Sequence, residues 1–410
     1  MTKQQNKIEK LIAELCPKGV AYRLLGDIAE CFSGATPRSG VAEYWENGVI
    51  PWMSSGEVNK KIIYDTDKKI TQAGYDSCST KMIPPNTVVV ALAGQGKTRG
   101  LVARTRISLC TNQSLCSLIP SEQIGCDFLY YFLSTQYQQL RSVSSGDGTR
   151  GGLNLQMIRN YRIPLPPLAV QEEIVKILNS FTELEAELEA ELEARKMQYE
   201  YCRDEFFTIK DVAHKSLGEV GTFVRGKRFV KSDIVSEGVP CIHYGEMYTH
   251  YGVWAQKTKS FLEPDVAANL RMANYGDVII VSAGETIEDI GKGVAWLGES
   301  GVVTHDACFT FTSSLDPKYV SYFLRTKVFH DQIKRYISSG KISSINSNGL
   351  GQAIIPVPPL AEQERIVTIL DKFDALVNDI SIGLPAELTA RRSQYEYYRG
   401  KILTFNEYVS

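Results

Sequence analysis

The chain lacks most of the patterns that mark a catalytic or metal-binding protein. Its nine cysteines are scattered and odd in number, with no C-x-x-C pair and no C-x-x-C…H-x-x-x-H spacing. That argues against a structural zinc and against a disulfide framework, and reduced thiols are expected. No apolar run approaches the roughly eighteen residues of a membrane-crossing helix, and the opening MTKQQNKIEK has no apolar h-region. A cytoplasmic protein with no membrane partner is expected. There is no [N/D]-P-P-[Y/F] tetrad to hold a flipped base and no convincing P-D…(D/E)-x-K series. His214, His243, His250, His305 and His330 are dispersed, and the pair His305-Asp306 has no Ser or Cys motif beside it. A catalytic centre and a metal site are therefore expected to be absent from this chain.

What is present is an ordinary folding composition, 43% hydrophobic, 22% charged and 10% aromatic over 410 residues. That length suits two or three domains. The formal charge is only −2, but it is unevenly placed. Residues 1–163 carry 19 basic and 13 acidic side chains, residues 164–209 carry 4 and 11, residues 210–355 carry 16 and 15, and residues 356–410 carry 6 and 8. Field effects follow position, so the sum hides an alternation of basic or neutral blocks with acidic ones.

The chain is one unit written twice. Ile163-Pro-Leu-Pro-Pro-Leu-Ala-Val-Gln-Glu-Glu-Ile-Val-Lys-Ile-Leu-Asn-Ser-Phe181 returns 192 residues later as Ile355-Pro-Val-Pro-Pro-Leu-Ala-Glu-Gln-Glu-Arg-Ile-Val-Thr-Ile-Leu-Asp-Lys-Phe373. Arg195-Lys-Met-Gln-Tyr-Glu-Tyr-Cys-Arg203 returns at an offset of 196 as Arg391-Arg-Ser-Gln-Tyr-Glu-Tyr-Tyr-Arg399. Fainter pairs join Leu25-Gly-Asp-Ile28 to Leu217-Gly-Glu-Val220 and Tyr131-Phe-Leu133 to Tyr322-Phe-Leu324. Similar edges around divergent interiors suggest one scaffold carrying two specificities.

The repeated blocks predict helices. Ile174, Ile177, Leu178, Phe181, Leu184, Leu188 and Leu192 fall at spacings of three and four, one buried stripe. Ile366, Ile369, Leu370, Phe373, Leu376, Val377 and Ile380 repeat it. Each helix would run about 40 residues, or roughly 60 Å, a length that suits an antiparallel pair. Gly383-Leu-Pro385 should kink or interrupt the second. Inside the first, Leu184-Glu-Ala-Glu, Leu188-Glu-Ala-Glu and Leu192-Glu-Ala-Arg195 form a four-residue repeat, locally a solvated acidic face and mechanically a ruler.

The large blocks predict mixed α/β structure, with strands at residues 88–92 and 278–281, helices over 127–141 and 317–337, and Gly-rich loops between. Ala91-Leu-Ala-Gly-Gln-Gly-Lys-Thr98 fits a P-loop pattern, but a strand rather than a helix is expected after it, and the second copy loses it. Phosphate and base contacts need cationic and fork-shaped donors. Arg38, Lys97, Arg99, Arg104 and Arg150 in the first block, and Arg225, Lys227, Arg228, Lys292 and Lys341 in the second, are the candidate DNA-binding residues, clustered by Gly-rich loops. Leu184, Leu188, Leu192, Tyr199, Tyr201, Tyr395 and Tyr397 are the candidates for spacer packing and partner docking.

In order, Leu25-Gly-Asp-Ile28, Ser33-Gly-Ala-Thr-Pro37, Glu43-Tyr-Trp45, Ile50-Pro-Trp52, Thr111-Asn-Gln-Ser-Leu115 and Ser144-Ser-Gly146, with the repeated Ile-Pro-x-Pro-Pro-Leu-Ala-x-Gln-Glu starts and Gln-Tyr-Glu-Tyr-x-Arg ends, resemble the DNA-specificity (S) subunit of type I restriction–modification systems. The tetrads resemble the subgroup whose central helix varies by four-residue units. The second copy departs from the opening pattern with Arg225-Gly-Lys-Arg228 and no Tyr-Trp, so its target should differ.

The resemblance implies an α+β protein of two α/β target-recognition domains in tandem, separated by two long antiparallel coiled-coil spacer helices with pseudo-twofold symmetry. The expected segments are 1–165 and 210–357 for the domains, 166–209 and 358–410 for the helices, with the segment around residues 6–15 packing near the second helix. It implies double-stranded DNA with a bipartite asymmetric site, two methyltransferase (M) subunits and restriction/translocase (R) subunits as partners. S-adenosylmethionine, ATP and Mg would sit on those partners and no cofactor on this chain. Two rival readings stay open: a non-enzymatic coiled-coil scaffold, and a nucleotide-binding enzyme using residues 94–98.

Overall fold

A computed structural model describes residues 3–94, 98–143 and 152–408. The chain packs as two compact units, residues 1–186 with 390–410, and residues 187–389. The helices that organise them are, in chain order, α1 (Lys3–Leu15), α2 (Cys126–Thr135), α3 (Leu168–Phe206), α4 (Pro317–Phe323), α5 (Leu360–Asn378) and α6 (Leu384–Ile402). Helix α3 has the expected length, 39 residues. The second long helix is broken into α5 and α6 at the expected place. A side chain at Gly383 would lie 2.4 Å from the carbonyl of Ala375, so only glycine lets the chain fold back there.

The four consecutive segments expected from the sequence describe chain order, whereas packing divides the chain differently. The first unit takes the opening half of α3 and the closing half of α6, and the second takes the rest of α3 with α5. An isolated helix has one apolar stripe and must bury it on whatever is nearest, here a sheet domain and a second helix.

In the first unit, β2 (Ala29–Ser33), β4 (Ile62–Ile63), β6 (Val88–Ala91), β7 (Val102–Thr105) and β9 (Leu115–Pro120) form one sheet in the order β2-β9-β6-β7-β4. A second sheet, β5-β3-β8, joins β3 (Ile50–Met53), β5 (Lys68–Ile70) and β8 (Cys110–Thr111), while β1 (Ala21–Leu24) pairs with β10 (Arg162–Leu165). Strand β6 is buried throughout, so it reads as a continuous Val-Val-Val-Ala run rather than an alternation. Behind it lie Phe128, Leu129, Tyr131, Phe132 and Leu133 of α2 and Ile174, Ile177 and Leu178 of α3. Each large apolar side chain so buried contributes about 1.5–3 kcal/mol.

The chain ends complete this core. Ile8 of α1 and Ile402 and Leu403 after α6 are buried in it. Lys7 reaches Glu173 on α3 at 2.6 Å and Glu9 pairs with Lys401 at 3.4 Å. Val20 N–H donates to the Asn406 carbonyl and Tyr408 N–H to Val20, both at 2.9 Å. The antiparallel run of α6 against α3 shows in Phe181 facing Tyr395 and Tyr398, and Glu185 bonding Arg392 at 2.6 Å.

The second unit repeats the plan. Its main sheet runs β12-β22-β18-β20-β15, from β12 (Gly221–Arg225), β15 (Trp254–Ala255), β18 (Val278–Val281), β20 (Gly293–Trp296) and β22 (Cys308–Ser313). The small sheet gains two edge strands, β13-β16-β14-β21-β17, from β13 (Ile234–Val235), β14 (Val239–Ile242), β16 (Ser260–Leu262), β17 (Met272–Ala273) and β21 (Val302–Thr304). Strand β11 (Ala213–Ser216) pairs with β24 (Ile354–Val357), and β19 (Ala283–Gly284) with β23 (Ser343–Ser344). Helix α4 and α5 cover the main sheet as α2 and α3 do in the first unit. The expected helices over 127–141 and 317–337 are each broken into shorter pieces.

Candidate nucleic-acid interface

In both units the loop leaving the first strand of the main sheet lies hard against the end of a small-sheet strand. A Cβ on Gly34 would sit 1.8 Å from the Thr111 carbonyl, and one on Gly226 would sit 2.4 Å from that of Thr304. Glycine is required at each because two backbones touch. The frame beyond is also shared. Ser54 N–H donates to Glu57 Oε1 at 2.9 Å and His243 N–H to Glu246 Oε2 at 3.1 Å, closing the same turn after β3 and β14.

The side chains presented on this frame differ. In the first unit Thr36 Oγ1 bonds Gln113, Trp52 Nε1 donates to the Ala35 carbonyl at 3.0 Å, and Trp45 Nε1 to that of Arg38 at 3.2 Å. The two indoles meet edge to face at 5.1 Å, which fixes the loop that holds Arg38 in solvent. An adjoining cleft of about 630 Å³ is lined by Ala93, Gln113, Ser114, Asn154, Gln156 and Arg159, among others. In the second unit the frame carries Arg225, Lys227 and Arg228, all exposed, beside Phe229, His243, Tyr244 and His305. Arg225 Nε donates to the Asp306 carbonyl at 2.8 Å and Lys227 Nζ to that of Asn269 at 2.7 Å.

His305 is not half of a catalytic dyad. It is buried, its Nδ1 accepts from Ala307 N–H at 3.1 Å, and its Nε2 faces the Phe229 carbonyl at 3.1 Å, so the proton belongs on Nε2. Burial pushes its pKa below the usual 6.5, although Asp306 lies 3.0 Å from Nδ1 and pulls the other way. Burial does the same to His243.

Two sequence expectations need correction. Arg104 is only 5% exposed; it lies in β7, ion-paired to Asp127 at 2.9 Å and covered by Tyr130 and Tyr131, so it cannot reach a duplex. Lys292 is half-buried and neutralised by Asp289 at 2.6 Å. Tyr199 is buried against Phe373 and bonds Asp374 at 3.2 Å, and Tyr395 is half-buried beside Phe181. Both tyrosines hold helix to helix, the spacer packing for which they were candidates. Tyr201 and Tyr397, by contrast, are 64% and 65% exposed, and Leu184, Leu188 and Leu192 are half-buried. Arg99 is half-buried and Lys341 exposed. Lys97, Arg150 and the segment 144–146 lie outside the described residues.

The P-loop pattern begins in β6, its residues 95–97 lie outside the described residues, and β7 follows antiparallel to β6, with Gly94 at φ +133° and Gly100 N–H returning to the Ala91 carbonyl at 2.9 Å. A phosphate cradle needs a helix N-terminus after the loop, and the next element is a strand. Among the described residues no group of three His, Cys, Asp or Glu could hold a metal, and no helix is long and apolar enough to cross a membrane.

Sequence reasoning missed Lys81, set over the Phe32 ring at 5.0 Å beside the first loop, and Arg271, which bonds the Arg225 carbonyl at 2.5 Å. It also gave no role to Gln171 and Gln363, each 1% exposed. Gln171 accepts from Gly125 N–H at 2.9 Å and donates to the carbonyls of Gln123 (3.0 Å) and Pro166 (2.7 Å). Gln363 accepts from Asp316 N–H at 2.9 Å and donates to Pro358 at 2.8 Å. The signal was an amide at a buried helical phase in both copies.

Twin α/β units joined by long helices, with unlike side chains on like loops, define a tandem recognition protein. The chain belongs to the type I restriction modification DNA specificity domain family, whose model matches twice, at residues 17–194 and 209–390. It is 33% identical over 306 residues to the EcoR124I/EcoR124II type I restriction enzyme specificity subunit of Escherichia coli, covering 68% of this chain and 70% of the relative. A putative type I restriction enzyme specificity subunit of Haemophilus influenzae is 31% identical over 305 residues, covering 70% and 74%. The fold matches a solved chain from work on complex assembly and conformational transition of the type I R-M system, with TM-score 0.67, 16% identity and coverage of 94% and 98%. It also matches the HsdS subunit of Thermoanaerobacter tengcongensis, with TM-score 0.55, 18% identity and coverage of 95% and 97%.

Proposed function

We propose that each unit reads one half of a bipartite, asymmetric double-stranded DNA site, and that the long helices set the gap between the halves. Reading would fall to Thr36, Arg38 and Gln113 on one frame and to Arg225, Lys227 and Arg228 on the other. Cationic groups would neutralise phosphates, and guanidinium forks would pair with guanine edges. The observation that carries this is the repeated backbone frame bearing different side chains. A scaffold would have no need of that combination.

The chain is non-catalytic in this reading. Two methyltransferase subunits dock on the helices near Tyr201 and Tyr397, restriction/translocase subunits join them in the cytoplasm, and these partners bring S-adenosylmethionine, ATP and Mg. The test is to exchange residues 210–355 for the equivalent block of a relative, reconstitute with methyltransferase subunits, and footprint the complex. One half-site should change while the other stays, with salt-dependent binding as counterions are released. Loss of both halves, or contact along one uninterrupted tract, overturns the proposal.

A further inference from the structure

Each unit sets one arginine where its sheet domain meets its long helices, Arg104 buried and Arg325 half-buried, and the two come from different elements. In the first unit Arg104 comes from β7, with its guanidinium carbon 4.7 and 5.1 Å from the ring centroids of Tyr130 and Tyr131. Tyr131 then donates to Asn179 Oδ1 on α3 at 2.6 Å. In the second unit Arg325 comes from the turn after α4, and Nη2 donates to the carbonyls of Gly252 (2.6 Å) and Gly293 (3.1 Å). Asp374 adds favourable charge around it, Arg203 opposes, and the adjacent Tyr322 donates to Asp371 Oδ1 on α5 at 2.7 Å.

The registers show that the two positions have been exchanged. Ile62 pairs with Arg104 in parallel between β4 and β7, as Trp254 pairs with Ala295 between β15 and β20. Position 104 therefore corresponds to 295. The triplets Tyr131-Phe-Leu133 and Tyr322-Phe-Leu324 place Ser134 opposite Arg325. One copy has Arg on the strand and Ser after the triplet; the other has Ala on the strand and Arg after the triplet. Space agrees with charge: Ser134 borders a pocket of about 710 Å³ that Arg104, Tyr130, Tyr131, Tyr137 and Tyr395 also line.

We propose that Arg104 and Arg325 are one key in two places: an inward-held guanidinium, buried in the first unit and half-buried in the second, that fixes the angle of each recognition unit on its helices, and so a positioning residue for DNA reading. The cation locks a short helix to the sheet domain, by the α2 rings in one unit and by sheet-domain carbonyls in the other. A tyrosine of that short helix bonds the long helix, so the helix–sheet angle is restrained through the tyrosine. This rests on the bipartite reading of DNA proposed for the two units.

The test uses the full chain reconstituted with methyltransferase subunits, with four forms compared: the natural chain, Arg104→Ala, Arg104→Ala with Ser134→Arg, and Arg104→Ala with Ser134→Met. Discrimination against single-base changes is measured at each half-site. Arg104→Ala should lower it about tenfold at the first unit's half-site only. Arginine at 134 should restore it to within about threefold, and methionine should not. No loss with Arg104→Ala, or equal rescue by methionine, overturns the proposal. A second measurement needs no DNA: spin labels at Tyr64→Cys and Glu183→Cys report the sheet–helix distance by pulsed EPR. The distribution should broaden in Arg104→Ala and narrow again with Ser134→Arg. Failure to narrow overturns the key even where a natural complex without bipartite binding has already overturned the reading.

Discussion

Replacing Gln171 by leucine keeps the volume and removes three hydrogen bonds of a buried amide, two to the Gln123–Gly125 loop of the sheet domain and one to Pro166 just before α3. Leucine leaves the Gly125 N–H and the carbonyls of Gln123 and Pro166 without that partner. A stranded buried group costs about 1–3 kcal/mol, less where a carbonyl keeps its second lone pair wet, so a total of roughly 3 kcal/mol is expected. Gln363→Leu strands one N–H and one carbonyl, for roughly 2 kcal/mol. Gln171→Glu separates the roles, since a carboxylate still accepts from Gly125 but donates to neither carbonyl. Urea unfolding gives the stability, and hydrogen exchange read at the Gly125 and Asp316 amides gives the location. Gln171→Leu should release Gly125 and leave Asp316 protected, and Gln363→Leu the reverse. If both substitutions cost under about 0.5 kcal/mol and both amides stay protected, these glutamines do not fasten the helices to their sheets.

All five histidines lie in the second unit, and burial holds His243, His305 and His330 below their ordinary value. A folded pKa below the unfolded one gives stability that is full above about pH 6.5 and is lost as pH falls through the depressed values. The second unit should therefore soften as pH falls below about 6.5, ahead of the first, as hydrogen exchange would report; simultaneous softening would contradict this. Gly34→Val drives a side chain into the Thr111 carbonyl, and footprinting should show one half-site lost and the other kept. Deleting residues 188–191 shortens α3 by about 6 Å and turns the remainder of the helix by about 40°. The gap preferred in methylation assays should change by about one or two base pairs, and an unchanged gap refutes the ruler.

Much of this architecture was legible because the chain states it twice. The 192-residue offset foretold two sheets of one order, the stripe from Ile174 to Leu192 foretold α3, and Gly383-Leu-Pro385 foretold the break between α5 and α6. What escaped was anything decided by a distant partner. Ile402 and Leu403 look like any helix end, and nothing local says that they fill a core built from residues nearly 400 positions earlier. Arg104 read as a loop-edge cation, yet α2 covers its strand, so the polar residue is buried with Val102 and Ala103. Lys292 misled for the same reason, since its charge is taken up by Asp289.

The way the first unit is sewn from both ends of the chain bears on its birth at the ribosome. The second unit is one unbroken stretch and can close as soon as residue 389 clears the tunnel, whereas the first waits for residues 390–410. At about 5–20 residues per second, the nascent 1–186 segment spends roughly 10–40 seconds with the seat for Ile402 and Leu403 unfilled. The domain translated first is thus the last to finish, and a ribosome that stops between codons 389 and 402 releases a chain with one closed unit and one open to chaperones and proteases.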